Sequence, residues 1–179
     1  ISDFNQIIAD SGFSKLKKIL PGGRNRQESV YRGFSALPPE AEYVAVHDAA
    51  RPLLSVFLLE KVVRAGRKTG AAILAIPIYD SLKRVKGGII EENLPREGIW
   101  AAQTPQVFSR QILSRAFEKA HIDGFVGTDS ASLVSRLPYP VSVVLGSPEN
   151  LKITTPQELA SAELLAGGIK GELWSWTRK

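Results

Sequence analysis

Apolar residues recur along this chain in two alternating patterns, and each pattern predicts a different element. Short apolar runs at 43–47 and 71–78 predict strands, and the second is continuous enough to be buried on both faces. Between them, residues 55–68 carry apolar side chains at helical spacing, and Gly70 ends the helix. Strands that alternate with helices predict an α/β fold with a doubly wound, mostly parallel sheet. The predicted buried face of this helix holds Leu58, Leu59, Val62 and Val63.

The remaining elements follow from the same rules of periodicity and capping. Thr155, Pro156 and Glu158 form a capping-box pattern with proline at the first helical position, which predicts the start of a final helix. The last residues, 167–179, have the composition of a loose tail that carries Trp174 and Trp176. We expect one domain over residues 1–179. Other predicted helices are 2–11, 27–37, 109–120 and 128–135, and other predicted strands are 15–20, 99–102, 141–145 and a short one around Lys152.

A different pattern interrupts the alternation at residues 79–99. Two short runs, 81–86 and 89–92, flank Gly87-Gly88, which is a signal for a β-hairpin. The hairpin is polar on both faces, so it is predicted to project from the body as an arm. A projecting arm suggests a contact between subunits.

Composition excludes several classes of protein. Of the 179 residues 44% are hydrophobic, enough for a sizeable core, and no apolar run approaches the roughly 20 residues that span a bilayer. The net charge of +5 suggests an anionic partner, but the basic residues are scattered, which favours a small polyphosphate over nucleic acid. Without cysteine, thiolate zinc sites and cysteine nucleophiles are excluded. The chain opens with Ile1 and lacks methionine, so we expect it to begin inside a longer protein.

Asp48 is the strongest candidate for chemistry. It follows the predicted strand 43–47, at the carboxyl end where open α/β sheets bind ligands. A carboxylate there is well placed to hold Mg²⁺ against phosphate oxygens, and Arg51 could reach a phosphate or orient Asp48. The alternative is an Asp-Arg pair that stabilises a loop, or an aspartate that caps a helix.

Two further segments could bind anions. Gly22-Gly23, followed by Arg24, Arg26 and Ser29, offers backbone amides, cations and a hydroxyl before a helix, although glycine pairs are also common turns. Lys152 stands between two apolar residues and could neutralise phosphate charge, or it could simply extend its amine to solvent.

Several polar residues have ordinary structural explanations. Gln103, Thr104 and Gln106 could recognise ligand groups, or they could fix a loop around Pro105, whose peptide bond could be cis. Thr128-Asp129 is expected to cap a helix. His47 is expected to be packed or hydrogen-bonded rather than catalytic.

Five ordered segments identify a resemblance to a known family. The segments at 22–30, 46–52, 96–106, 128–133 and 150–159 read GGRNRQESV, VHDAARP, REGIWAAQTPQ, TDSASL and NLKITTPQEL. Together they resemble the 2-C-methyl-D-erythritol 4-phosphate cytidylyltransferases of the non-mevalonate isoprenoid pathway. The resemblance implies a Rossmann-like nucleotidyltransferase fold and a reaction of methylerythritol phosphate with CTP that releases pyrophosphate.

The resemblance also implies roles for individual residues. Mg²⁺ is the implied cofactor, and the family's metal-binding aspartate matches Asp48. The implied substrate-phosphate residues are Arg51, Ser81 and Arg96, and the implied phosphate-contacting lysine is Lys152. A region that contacts the cytidine moiety matches Gly22, Gly23 and Ser29. The arm at 79–99 is implied to cross to a second subunit of a homodimer, where Ser81 and Arg96 complete the partner's site.

One departure from the family pattern limits the expected activity. The family's glycine-rich loop, which wraps the CTP phosphates, has no counterpart in residues 1–179, so we expect this segment alone to be inactive and poorly folded. Three other functions stay open: a ribitol 5-phosphate cytidylyltransferase, a non-catalytic nucleotide-binding protein and, third, a basic RNA-binding module. The resemblance implies a cytoplasmic enzyme in a bacterium, or a plastid enzyme in a plant or alga.

Overall fold

A computed structural model describes residues 13–168 of the chain. The predicted helix at 2–11 lies outside the described residues, as does the predicted tail at 167–179 except for residues 167–168, which belong to the last helix rather than to a tail. Among residues 13–168, no helix combines the length and apolarity needed to cross a membrane. The helices are α1 (Arg26–Ser35), α2 (Val56–Thr69), α3 (Arg110–Ile122), α4 (Ser130–Val134) and α5 (Pro156–Gly168). The strands are β1 (Tyr43–Val46), β2 (Ala71–Pro77), β3 (Leu82–Lys86), β4 (Ile89–Leu94), β5 (Trp100–Ser109) and β6 (Ser142–Leu145).

The central sheet has the strand order β1-β5-β2-β6. β2 and β6 pair in parallel, whereas β5 runs antiparallel to both of its neighbours. β1, β2 and β6 therefore point the same way, and their carboxyl ends share one edge of the sheet. The α/β class is confirmed, and β5 is the exception to the predicted parallel order.

Helices cover both faces of this sheet, as a doubly wound fold requires. On one face α1, α3 and α4 bury Phe34, Leu113 and Leu133 against β2 and β5. On the other face α2 packs Leu58 and Val62 against the same two strands. The prediction that Leu59 is buried was wrong, because the apolar stripe of α2 is narrower than expected and Leu59 lies outside it, exposed.

Caps define the helix ends where the sequence predicted them. The Ser55 side chain accepts a hydrogen bond at the start of α2, and Gly70 ends that helix in the left-handed conformation, at φ 83°. Asp129 caps α4 in a reciprocal capping box with Ser132. Thr155 and Glu158 form the predicted capping box of α5, because each side chain accepts a hydrogen bond from the other's backbone N–H.

Three predicted strands were wrong in extent or kind. Residues 15–20 are exposed and form no strand, since no strand among residues 13–168 pairs with them to complete their backbone hydrogen bonds. The segment around Lys152 is irregular for the same reason. Strand 99–102 was predicted too short: β5 continues past the cis peptide Thr104-Pro105, and the register shift between Ile73 and Leu74 on β2 accommodates the proline.

The predicted hairpin is present as a separate two-stranded sheet. β3 and β4 pair antiparallel around Gly87-Gly88, and both glycines have positive φ, at 56° and 81°. Most of its side chains are exposed, including the apolar Val85, Ile89 and Ile90.

Candidate active site around Asp48

Asp48 lies just beyond the end of β1, held by the neighbouring strand. Its backbone N–H donates to Thr104 Oγ1 on β5 at 3.0 Å, and its carbonyl accepts from the Arg51 N–H at 3.0 Å. The second bond closes a tight turn over residues 48–51. The carboxylate is thereby fixed at the edge of the sheet where the parallel strands end.

Three cations from separate parts of the chain surround this carboxylate, and we call these four residues the Asp48 cluster. Arg26 Nη2, at the start of α1, lies 3.2 Å from Asp48 Oδ1. Lys152 Nζ lies 3.2 Å from Oδ2, and Arg51 Nε lies 3.9 Å from the same oxygen. The Asp48 side chain is 17% exposed, so these interactions are partly shielded from solvent. One negative charge thus faces three positive charges.

The electrostatics of Asp48 follow from two opposing effects. Burial by itself would raise the pKa of this carboxyl. The hydrogen bond from Lys152 and the charge of Arg26 together outweigh burial, and the pKa lies below its ordinary value. Asp48 is therefore ionised at neutral pH and available to a cation.

Arg51 is the most enclosed cation of the cluster. Its Nη1 donates to the Asn150 carbonyl at 2.6 Å, while its buried Nε has no hydrogen-bond partner among residues 13–168. Burial lowers the pKa of Arg51, and Asp48 partly opposes this effect. An arginine stays protonated despite such a shift, so Arg51 presents a fixed positive charge.

The glycine segment is built against the start of α1. The Gly23 N–H donates to Ser29 Oγ at 2.9 Å, and that hydroxyl donates to the Asn25 carbonyl at 2.9 Å. A Cβ on Gly23 would lie 2.2 Å from the Glu28 Cβ, so only glycine allows this close approach. Arg24 forms an ion pair with Glu28 at 2.6 Å, and its side chain is exposed.

Ser81 and Arg96 are not brought to the Asp48 cluster within one chain. Ser81 is exposed, and the Arg96 guanidinium donates to the Tyr79 carbonyl at the base of the hairpin. In the described part of the chain, neither residue has a hydrogen bond or ion pair with Asp48, Arg51 or Lys152.

The polar residues of β5 act structurally, which was one of the two explanations predicted for them. Gln106 donates to the Asp129 carboxylate at 2.7 Å and accepts from the Ala131 N–H at 3.0 Å, so it fixes α4. His47 is hydrogen-bonded, as expected: one ring nitrogen lies 3.0 Å from the Arg51 carbonyl and the other 3.0 Å from Thr104 Oγ1. Burial lowers the pKa of His47.

Sequence reasoning missed two participants in this site. The sequence indicates Arg26 only as one cation of the glycine segment, yet the Arg26 side chain contacts Asp48 directly. In the sequence, Asn150 stands out only as part of a motif, although the residue is 1% exposed in the structure. A buried asparagine two residues before a candidate lysine carries no periodicity or spacing signal that would have marked it.

The side chains available as metal ligands limit how a metal ion could bind at this site. Among the described residues, no group of three or more His, Cys, Asp or Glu side chains converges. Mg²⁺ is commonly held by one or two carboxylates together with substrate phosphates, so Asp48 fits a Mg²⁺ that a polyphosphate carries in. The chain itself offers no complete metal cage within residues 13–168.

Comparison with known proteins identifies the family. The family model of 2-C-methyl-D-erythritol 4-phosphate cytidylyltransferase matches residues 1–167. The chain belongs to this family. Proteins of that name from Halalkalibacterium halodurans and Syntrophus aciditrophicus are 43% and 46% identical over 165 and 161 residues. The chain aligns over 92% of its own length and 72% of the first relative, and over 89% and 69% for the second.

Solved structures support the same family. The cytidylyltransferase from Thermus thermophilus matches with a TM-score of 0.77 and 38% identity, over 87% of this chain and 77% of that one. The 4-diphosphocytidyl-2C-methyl-D-erythritol synthase from Anaerococcus prevotii matches with a TM-score of 0.81 and 29% identity, over 92% and 78%. The chain is thus a member of a nucleotidyltransferase enzyme family, as its sequence predicted.

Proposed function

We propose that this protein transfers the cytidylyl group of CTP to 2-C-methyl-D-erythritol 4-phosphate. A phosphate oxygen of the sugar alcohol forms a bond to the α-phosphorus of CTP. The bond from that phosphorus to the bridging oxygen of the β-phosphate breaks, and pyrophosphate leaves with the electron pair. The products are CDP-methylerythritol and pyrophosphate.

The Asp48 cluster is the observation that carries this proposal. Two arginines and one lysine surround a single carboxylate at the carboxyl edge of the sheet. Three cations exceed what one carboxylate can neutralise, so the cluster has positive charge left for the phosphates of two anionic substrates. A site of this kind stabilises the charge that accumulates around a phosphorus under attack.

The chemistry explains why no catalytic histidine is needed. A phosphate monoester is already anionic near neutral pH, so its oxygen attacks without a general base. The remaining requirements are in-line placement and positive charge. We assign Arg51 and Lys152 to the substrate phosphates, and Gly22, Gly23 and Ser29 to the cytidine moiety.

Asp48 changes partners in this scheme. Before substrates bind, it is paired with Lys152 and Arg26. Entering phosphates offer those cations a stronger negative partner, which frees the carboxylate to hold Mg²⁺. Mg²⁺ held there by Asp48 would withdraw charge from the phosphate oxygens of CTP. Asp48 is then the one carboxylate of the cluster available to hold the ion in place.

We further propose a homodimer formed through the arm at 79–99. Its exposed Val85, Ile89 and Ile90 supply an apolar surface, and Ser81 and Arg96 stand at its base, away from the Asp48 cluster of their own chain. In a dimer these two residues would reach the partner's substrate phosphate. We propose a cytoplasmic location, since CTP is an intracellular substrate.

A substrate comparison tests the proposal. The full-length protein, with CTP and Mg²⁺, is expected to release pyrophosphate with methylerythritol phosphate and to do so far more slowly with ribitol 5-phosphate. Faster turnover of ribitol 5-phosphate would establish the rival cytidylyltransferase, and CTP binding without turnover would establish a binding protein. Residues 1–179 assayed alone are expected to be inactive, and product formation by that segment would refute this expectation.

A further inference from the structure

Asn150 is a buried amide in the irregular segment between β6 and α5. It is 1% exposed, although asparagine is seldom fully buried unless hydrogen bonds hold it. Its side-chain Nδ2 donates to the Thr104 carbonyl at 2.9 Å and lies 3.3 Å from Gln103 Oε1. These bonds join the segment that carries Lys152 to the central strand β5.

The backbone of Asn150 makes a second connection. Its carbonyl accepts the 2.6 Å hydrogen bond from Arg51 Nη1, and two residues later the Ile153 N–H donates to the Ala50 carbonyl at 2.8 Å. Lys152 therefore lies between two points at which this segment is tied to the turn that carries Asp48 and Arg51.

The strand end of this connection also serves Asp48. Thr104, whose carbonyl holds the Asn150 amide, uses its own hydroxyl to accept from the Asp48 N–H. Gln103, the other contact of Asn150, donates to the Ser147 carbonyl at 2.8 Å and so fixes the loop that leads to Asn150. The Asn150 side chain thus joins β5 to the segment that carries Lys152, and the backbone carbonyl of the same residue joins that segment to Arg51.

We infer that Asn150 is a positioning residue that sets the placement of Arg51 and Lys152 relative to Asp48. This inference rests on the proposed function. Asn150 itself is buried beneath the cluster and contacts none of the reacting groups. Loss of the Asn150 side chain is expected to weaken the interaction with the sugar phosphate, because Arg51 and Lys152 would be misplaced.

A kinetic comparison separates positioning from stability. The full-length Asn150→Ala variant is expected to raise the KM for methylerythritol phosphate and lower kcat, together reducing kcat/KM about 100-fold, as misplacement of catalytic groups does. The KM for CTP is expected to change less than threefold. The control is Val62→Ala, a core truncation in α2 that also lowers stability. It is expected to keep both KM values.

A crystal structure of Asn150→Ala supplies a readout that does not depend on activity. The Lys152 Nζ to Asp48 Oδ2 distance, 3.2 Å in the native protein, is expected to exceed the roughly 4 Å limit of an ion pair. If the native protein lacks cytidylyl transfer but the variant shows this displacement, the proposed function fails while the positioning role stands. An unchanged cluster, or kinetics that match those of Val62→Ala, would overturn the inference.

A second variant covers the case in which Asn150→Ala does not fold. Asn150→Asp keeps the shape of the side chain, replaces the amide donor with a carboxylate oxygen and adds a negative charge, so the same change in KM and the same displacement are expected. The exposed Gln111→Glu introduces an equal charge on α3, and it is expected to behave as the native protein.

Discussion

At the scale of single residues, Asp48 shows how one carboxylate can organise several cations. The pKa of Asp48 lies below its ordinary value because Lys152 and Arg26 outweigh the effect of burial. Asp48 is therefore fully ionised at pH values above about 4, the ordinary aspartate pKa. It becomes protonated only as the pH falls through the lower pKa that it has in the folded protein. Removal of this charge leaves Arg26, Arg51 and Lys152 to repel one another.

Asp48→Asn is expected to lower the rate of cytidylyl transfer by about 100-fold or more, since both the carboxylate proposed to hold Mg²⁺ and the anchor of the cations are lost. Steady-state kinetics with saturating CTP, methylerythritol phosphate and Mg²⁺ would measure this effect.

A suitable control for Asp48→Asn is Asp123→Asn. Asp123 also pairs with two cations, Lys119 at 3.0 Å and Arg136 at 2.5 Å, but it lies at the end of α3. This variant is expected to keep the native rate. If Asp48→Asn kept it too, the assignment of Asp48 would be wrong.

The sequence predicted the members of this site better than their contacts. Asp48, Arg51 and Lys152 stood out because each has an unusual position relative to a predicted strand. Arg26 and Asn150 could not be assigned, because their roles depend on which distant segments the fold brings together. Only the three-dimensional arrangement shows that Asn150 contacts both β5 and Arg51.

At the scale of elements, the close packing of α2 against β5 requires a glycine at position 66. Gly66 is buried in α2, and a Cβ added there would lie 2.6 Å from Cγ1 and 2.9 Å from Cβ of Val107. Those atoms belong to a stiff side chain on a central strand, which cannot easily move away.

Gly66→Ala is expected to destabilise the protein by up to roughly 2 kcal/mol, measured by urea unfolding. Overpacking costs about 1–3 kcal/mol, which exceeds the gain of about 1 kcal/mol from better helix propensity. Gly33→Ala in α1 is the matched control. A Cβ at that position meets nothing within 4 Å, so only the helix-propensity gain applies and stability should rise. A stabilising Gly66→Ala would contradict the packing argument.

The start of α5 carries a pH-dependent contribution to stability. Hydrogen bonds from the Thr154 and Thr155 hydroxyls and backbone amides lower the pKa of Glu158 to about 2. Because the folded value lies below the ordinary 4.5, the stabilisation is complete above that ordinary value and is lost as the pH falls toward 2.

Glu158→Gln is therefore expected to weaken the dependence of stability on pH between pH 5 and 3. Urea unfolding of both proteins across that range would measure it. Glu163→Gln, on the exposed surface of the same helix, is the control and should leave the native slope. Identical slopes for the native and Glu158→Gln proteins would contradict the prediction.

Elements were predicted most reliably where local chemistry defines both ends. The capped helices and the Gly87-Gly88 hairpin have such ends, and they were confirmed. Residues 15–20 alternate like a strand but pair with no strand in the described part of the chain, and β5 continues through a proline because the facing strand shifts register there. Both errors concern pairing between segments, which local patterns do not specify.

At the scale of the whole molecule, the hairpin arm carries apolar side chains that stay exposed to solvent in a single chain. Val85, Ile89 and Ile90 are 55–73% exposed near its tip. Val85 and Ile90 are cross-strand partners, and exposed apolar side chains paired in this way favour contact with another protein surface.

Under the proposed homodimer, Ile90→Glu is expected to give a monomer, measured by light scattering after size-exclusion chromatography, and to reduce transfer because Ser81 and Arg96 would no longer reach a partner. Ile122→Glu places the same charge at another exposed apolar position, at the end of α3, and should stay dimeric. A monomeric native protein would exclude this arrangement.

The Asp48 cluster joins α1, the turn after β1 and the segment before α5, which are far apart in sequence. No partly folded fragment can assemble it, so the ability to bind a polyphosphate appears only when the whole sheet has formed. By the same linkage, a polyphosphate that binds the proposed site would stabilise the entire fold in proportion to the logarithm of its concentration. Cellular nucleotide levels would thus influence how long this protein persists as well as how fast it works.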